Sequence, residues 1–289
     1  MKDIDNINHV GMAVRDMAAT AARYESFGFL LTPFSVHSGA WKPNEAVKSL
    51  ASGNRCVMFG SNYLEILASE NAEEPSPRIE AYLSRHQGAH IICFNSEDLS
   101  SVDRRIAGAG IKTSGVIPLQ RDIDTPTGIQ TAKFERVQFA PDDSPEGYIQ
   151  AATHLTPQYI YQPRYIAHPN GCDRLTEIVV VTEDLDHFVQ KYSRYIGAAP
   201  DWDGVSAAFS FSHGTRLVLV SSRNAREMLP GTLFPPLPGI AAVAFSTPDL
   251  VAQRVRLKNA SVVFAESPGR LIVPAESAAG IAVIFELKR

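Results

Sequence analysis

The feature that most constrains this 289-residue chain is a short pattern that occurs four times. NHVGMAVRDM (8–17), AHIICFNSEDL (89–99), TEIVVVTEDL (176–185) and AAVAFSTPDL (241–250) each join an apolar, β-branched run to a polar turn that ends in Asp and an apolar residue. The run reads as a buried strand. The Asp reads as a helix N-cap, so Asp16, Asp98, Asp184 and Asp249 are expected to offer carboxylates to the free amides of a first helical turn. Three of these helices should stop at Gly28, Gly110 and Gly197, where the backbone can take positive φ, and the fourth at Asn259. Short apolar runs of strand length complete each copy, among them YLEILA (63–68), GYIQAATH (147–154), TRLVLVSS (215–222) and GIAVIFEL (280–287). Each copy is therefore strand, helix, then about three strands. One such unit cannot cover its own sheet, so four units should form two pairs.

The length gives room for two cores. A Pro- and Gly-containing stretch, LTPQYIYQPRYIAHPNG (155–171), separates the second copy from the third. The expected organisation is an N-terminal paired domain over 1–155, a linker over 156–172 and a C-terminal degenerate paired domain over 173–289. Two polar inserts, 35–53 and 118–130, read as binding loops or lids. Charged residues make up 20% and hydrophobic residues 45%, ordinary globular values that argue against long disorder. A formal charge of −4 without a Lys/Arg cluster argues against nucleic acid as a partner. No apolar run reaches membrane-span length and the N-terminus MKDIDNINHV has no apolar segment, so the protein is expected to be cytoplasmic, with no membrane partner. Cys56, Cys93 and Cys172 are an odd number without metal-type spacing, which fits a reducing compartment. A small-molecule substrate is the expected partner, with a homodimer left open.

Four tandem βαβββ units, each opening on a strand that runs into a capping Asp, resemble the vicinal oxygen chelate superfamily of glyoxalase I, extradiol dioxygenases and fosfomycin or bleomycin resistance proteins. Within it, INHVGMAVRDM, GNRCVMFGSNYLEIL, IQAATHLTP and HPNG resemble most a bacterial glyoxalase-like domain family. The resemblance implies an α+β fold whose unit pairs curl into two cup-shaped mixed sheets. It also implies a divalent metal (Zn, Ni, Mn or Fe) at the floor of a cup, held by the first and last strands of each unit. Carried onto this chain, the positions are His9 and Glu65 in the first unit and His90 and Gln150 in the second. Aligning NYLE with GYIQ sets Glu65 opposite Gln150, and His154, two strand steps further on, is the alternative fourth ligand. The third unit offers Thr176 or Glu177 and the fourth Ala241 or Ala242 where an imidazole is wanted, so the C-terminal cup is expected to be metal-free.

Glu65 lies in an apolar strand, where an unpaired carboxylate is costly, so it calls for a metal, an Arg or a proton. Arg55, at the start of the neighbouring strand run, is the non-metal partner or an anchor for an anionic substrate. His37, in TPFSVHSGAW beside Trp41, is assigned to the substrate side. Cys56 and Cys93 read as core. No GxGxxG, Walker, CxxC, GxSxG or HExxH motif is present, which argues against nucleotide, dithiol, serine-hydrolase or zincin chemistry. The resemblance therefore implies a metal-dependent lyase or isomerase acting on a small substrate with two adjacent oxygens, with Glu65 as ligand and base. The alternatives are an extradiol-type ring-cleaving dioxygenase and a non-catalytic small-molecule binding or resistance protein.

Overall fold

The computed structural model describes residues 3–39, 48–71 and 73–288; Trp41 falls outside them. The first unit is β1 (Asn6–Ala13), α1 (Met17–Ser26), β2 (Ser35–Gly39), β3 (Lys48–Met58) and β4 (Tyr63–Ser69). After α2 (Pro77–Arg85) the second unit follows as β5 (Gly88–Asn95), α3 (Leu99–Gly108), β6 (Ile117–Thr125), β7 (Gly128–Gln138) and β8 (Tyr148–His154). Two short helices, α4 (Pro157–Ile160) and α5 (Pro163–Ile166), precede the third unit of β9 (Leu175–Thr182), α6 (Leu185–Ile196), β10 (Asp201–Trp202), β11 (Ser206–Ser210) and β12 (Arg216–Ser221). Beyond α7 (Ser222–Met228), the fourth unit is β13 (Gly239–Thr247), α8 (Leu250–Asn259), β14 (Ala265–Ser267), β15 (Arg270–Val273) and β16 (Ala282–Leu287). All four units keep the order strand, helix, three strands.

The four aspartates cap as the pattern demands. Asp16 accepts from the Ala19 amide, Asp98 from Ser101, Asp184 from His187, and Asp249 from both Val251 and Ala252. Gly28, Gly110 and Gly197 all have positive φ at the helix ends. The fourth helix departs from expectation: it runs through Asn259, and Ser261, two residues later, takes the left-handed conformation at φ 53°.

Within each unit the first and last strands pair in parallel, and the opening strands of paired units join antiparallel, β1 with β5 and β9 with β13. The result is an α+β fold of two eight-stranded mixed sheets. The first closes into a barrel in the order β1-β4-β3-β2-β6-β7-β8-β5; the second stays open, from β10 to β14. Barrel closure depends on the inserts expected to be loops. Residues 117–125 and 128–138 form the β6–β7 hairpin, and Ser38 of β2 pairs with Gln120 of β6. These strands read as loops because one face meets solvent and the other a polar cavity, so neither carries an apolar stripe.

A shared core binds the two sheets. Phe27, Phe29 and Phe59 pack with Phe245 and Phe285, ring centroids 4.9–6.3 Å apart. The HPNG turn is docked into this junction: His168 accepts from the Leu30 amide at 3.0 Å and reaches the Met58 carbonyl at 2.8 Å, while Asn170 Nδ2 donates to the Phe27 carbonyl.

Candidate active site in the N-terminal barrel

Strand side chains alternate across a sheet, so a closed barrel gathers every second residue of its strands inside. His9 of β1, Tyr63 and Glu65 of β4, and Gln150 and His154 of β8 all line one cavity, which encloses about 840 Å³ of empty space with its mouth included. His37, on the closing strand β2, lines it too. At its centre the buried Glu65 carboxylate is held by Asn54 Nδ2, which donates to Oε1 at 2.5 Å. His9 Nε2 stands 3.8 Å from Oε2 and His37 Nε2 stands 3.6 Å from Oε1.

Neither imidazole forms an ion pair with this carboxylate at neutral pH. Burial, with Arg121 and Arg78 adding repulsion, lowers the His9 pKa to about 3; burial lowers that of His37 to about 4 against the pull of Glu65. Asn8 fixes the tautomer of His9. Its Nδ2 donates to Asn95, so its Oδ1 is left to accept from His9 Nδ1, 2.8 Å away. The Nε2 lone pair of His9 is therefore turned toward a carboxylate oxygen. Two acceptors facing each other with no hydrogen between them leave both free to accept from a donor placed beside them in the cavity.

Two expected site residues lie elsewhere. His90 is not brought together with His9 and Glu65: its Nε2 meets the His86 carbonyl at 2.9 Å and its ring stacks on Tyr82. The reason is register. His9 lies seven residues before its capping Asp16, and the residue seven before Asp98 is Ile91, which lines the cavity in place of an imidazole. Aligning the two histidines slips the strand by one position, and one position reverses the face. Arg55 is likewise on the outer face, donating to the Thr32 carbonyl at 2.9 Å and to Glu25. Glu65 and Gln150 are equivalent, since Gly11 pairs with Glu65 as Cys93 pairs with Gln150, each five residues before its cap. His154 faces inward in an aromatic setting, 6.0 Å from Tyr63, 5.2 Å from Phe134 and 5.4 Å from Tyr161, with burial lowering its pKa to about 3.

Sequence reasoning missed the cations and one amide. Arg78 of α2, Arg121 of β6 and Arg136 of β7 all line the cavity. Arg121 donates to Asn54 Oδ1 at 2.9 Å and is thereby linked through one amide to Glu65; its Nε is buried without a partner among the described residues. Arg136, 7% exposed, donates to the Tyr148 hydroxyl, and burial lowers its pKa. Arg136 sits in the apolar run FERVQFA, the same signal that singled out Glu65.

The model of a glyoxalase-like domain matches residues 7–196, about two thirds of the chain. The chain belongs to this glyoxalase-like family. Solved structures extend the likeness to the whole fold. A hypothetical protein from Staphylococcus aureus is 11% identical with a TM-score of 0.63, covering 98% of this chain and 99% of that one. A variant of 4-hydroxymandelate synthase from Streptomyces coelicolor is 14% identical with a TM-score of 0.61, covering 99% and 93%. A fusion protein of a xylose isomerase-like TIM barrel and 4-hydroxyphenylpyruvate dioxygenase is 16% identical with a TM-score of 0.58; the match covers 99% of this chain and 49% of that one. At these identities the likeness is one of fold. No curated protein matches the chain. Among the described residues no helix is long and apolar enough to cross a membrane.

The ligand set that the resemblance implies for a divalent ion is not assembled in this glyoxalase-like barrel. His90 points away, Ile91 occupies its place, and no group of three His, Cys, Asp or Glu suited to a metal is found among the described residues. The charge balance also disfavours a dication: three arginines line the cavity, against Glu65 and Glu135. The donor set does not fit a protein-held divalent ion.

Proposed function

We propose that the barrel cavity is the active site of a glyoxalase-like enzyme of lyase or isomerase type, moving a proton on a small oxygenated molecule with Glu65 as the base. One observation carries this reading: a buried carboxylate, fixed by Asn54, faces two neutral imidazoles, and the tautomer of His9 turns its Nε2 lone pair toward that carboxylate. A carboxylate paired to an arginine has its acceptor capacity filled, whereas Glu65 keeps lone pairs directed at the cavity. A substrate O–H, or a C–H made acidic by an adjacent carbonyl, is the donor that this arrangement lacks. Asn54 holds the carboxylate in one orientation, and the Arg121 charge behind it favours the anion that proton removal creates. The expected ion ligands Glu65 and Gln150, with His9 and His154, serve in this reading as base, acceptor and cavity wall.

The test is proton exchange. Hydroxy ketones, 2-oxo acids and oxoaldehyde adducts are incubated in deuterated buffer, and loss of the proton next to the carbonyl is followed by NMR. Wild type should exchange one of these classes, and Glu65→Gln, which keeps the shape and removes the base, should slow exchange by roughly 10² to 10⁴. Elemental analysis of protein purified without chelator should show no stoichiometric transition metal. One ion per chain with His9 among its ligands would return the metal-dependent reading to first place. A second reading, a non-catalytic small-molecule binder, is favoured by Ile91 standing where a further polar group is expected; tight binding without exchange would select it.

A further inference from the structure

Charge in the cavity is not balanced. Among the described residues neither Arg121 nor Arg136 has a carboxylate partner, although nine other guanidinium or ammonium groups do, from Arg55 to Lys288. Arg136 is almost completely buried, and taking a guanidinium out of water without a counter-charge is costly. Two polar atoms of the cavity wall are also buried without a partner among the described residues: Arg121 Nε, a donor, and Gln150 Oε1, an acceptor. The two arginines are separate anchors. Arg121 of β6 stands opposite Ala132 of β7, and Arg136 lies four residues beyond Ala132, roughly 13 Å along the ladder at the backbone. Arg121 reaches toward Asn54 and Glu65, whereas Arg136 is tied to Tyr148.

We infer that the cavity takes a small organic dicarboxylate, one carboxylate on Arg121 and the other on Arg136, with the carbon between them presented to Glu65. This rests on the reading of the cavity as an active site. Each guanidinium supplies a planar fork suited to a carboxylate, and Arg121 Nε supplies the donor that now lacks an acceptor. A hydroxyl on the bridging carbon finds its acceptor in Gln150 Oε1. The apolar wall of Leu50, Leu67, Ile91, Leu119 and Phe134 packs the hydrocarbon portion and keeps the cavity's dielectric low.

Calorimetric titration of the full chain with malonate, succinate and 2-oxoglutarate, against butyrate and inorganic phosphate, tests this. At least one dicarboxylate should bind at least tenfold more tightly than butyrate or phosphate. Arg121→Gln and Arg136→Gln should each weaken it by roughly ten- to a hundredfold. Arg136→Lys, which keeps a buried cation if Arg136→Gln fails to fold, should show a smaller loss. Glu65→Gln should bind as tightly as wild type or tighter, because it removes a negative charge while leaving both anchors. Equal binding of butyrate and the dicarboxylates, phosphate binding as well as they do, no dicarboxylate binding at all, or indifference to both arginine substitutions would each overturn the inference. The two claims fail separately. Undiminished exchange in Glu65→Gln removes the base and leaves the anchors standing, while undiminished binding in the arginine variants removes the anchors and leaves the base.

Discussion

The barrel and the open sheet are two copies of one design in which equivalent positions of the closing strands carry opposite chemistry. Counting from the capping aspartates, Glu65 and Gln150 of the barrel correspond to Val218 and Ile284 of the second sheet, and His9 and Ile91 correspond to Glu177 and Ala242. Most of that face of the second sheet is apolar, with the charged residues gathered at the Glu177 end. Val179, Val181, Val218, Ala242, Ala244 and Ile284 pack with Ala225 of α7 and with Leu229, Phe234 and Leu237 after it, so the segment following β12 covers the cup. The corresponding segment of the first half, α2, packs Ile79 and Leu83 on Ala13, Leu67 and Ile91, and also brings Arg78 to the cavity. Each half also buries a carboxylate. Glu177 is held by Arg216 at 2.7 Å and Arg270 at 3.1 Å, the latter bridging on to Glu286 at 2.8 Å. Glu65 has an amide and two neutral imidazoles instead. A carboxylate closed by guanidinium groups stabilises a fold, and one left with free acceptor capacity is available to a ligand.

Exchanging each carboxylate for its amide separates the two roles most sharply. Glu65→Gln should cost two to four decades of proton exchange, on the order of 3 to 5 kcal/mol of barrier, with little change in urea midpoint. Glu177→Gln should do the reverse, leaving Arg216 and Arg270 with Glu286 as their one remaining shared carboxylate and lowering stability by about 3 kcal/mol while exchange persists in the folded protein. Chemical denaturation and NMR exchange on both variants read the two quantities independently. If Glu65→Gln unfolds the barrel and Glu177→Gln is neutral, the roles assigned to the two halves are reversed.

Acid should act first on the barrel. His9 and His154, at about 3, and His37, at about 4, bind protons less readily folded than unfolded, where the ordinary value is 6.5. The unfolded chain therefore takes up more protons as pH falls below about 6.5, and stability drops through that window down to the folded values; above it these groups contribute no pH dependence. His154→Phe fits the aromatic surroundings of Tyr63, Phe134 and Tyr161 and cannot titrate, so it should recover about 1 to 2 kcal/mol of the loss between pH 7 and pH 5. Urea midpoints of both proteins at the two pH values measure it. An unchanged slope would show that His154 does not sense the buried environment.

Much of this fold was legible because its signals are local. The capping aspartates and the strands after them depend on a few neighbouring residues, and the fourfold order follows. The site was legible where two repeats align, as at Gln150, and where an ionisable residue interrupts an apolar run. Glu65 met that test; Arg136 also meets it, and attention to metal-ligand residue types passed over it. Arg121 carries no such signal, because β6 has a solvent face and a polar cavity face and reads as a loop. His90 shows the opposite hazard. Its likeness to His9 lies in the letters HV and HI, while the face a strand residue takes is set by its count from the cap.

The smallest effect concerns what the two halves share. Replacing a capping Asp by Ala typically costs about 1 kcal/mol, and the four caps occupy equivalent places, so Asp16→Ala and Asp98→Ala should each lower stability by that amount. Asp249 accepts from two amides where the others accept from one, so Asp249→Ala should cost somewhat more. Asp184→Ala should cost least, because α6 alone among these helices has a second acid in its first turn, Asp186, whose charge still favours the helix N-terminus. Urea midpoints of the four variants should therefore rank Asp249 as most damaging, Asp16 and Asp98 together, and Asp184 as mildest. A ranking that follows which half the residue belongs to, rather than how many amides it caps, would mean that the halves differ in stability as well as in chemistry.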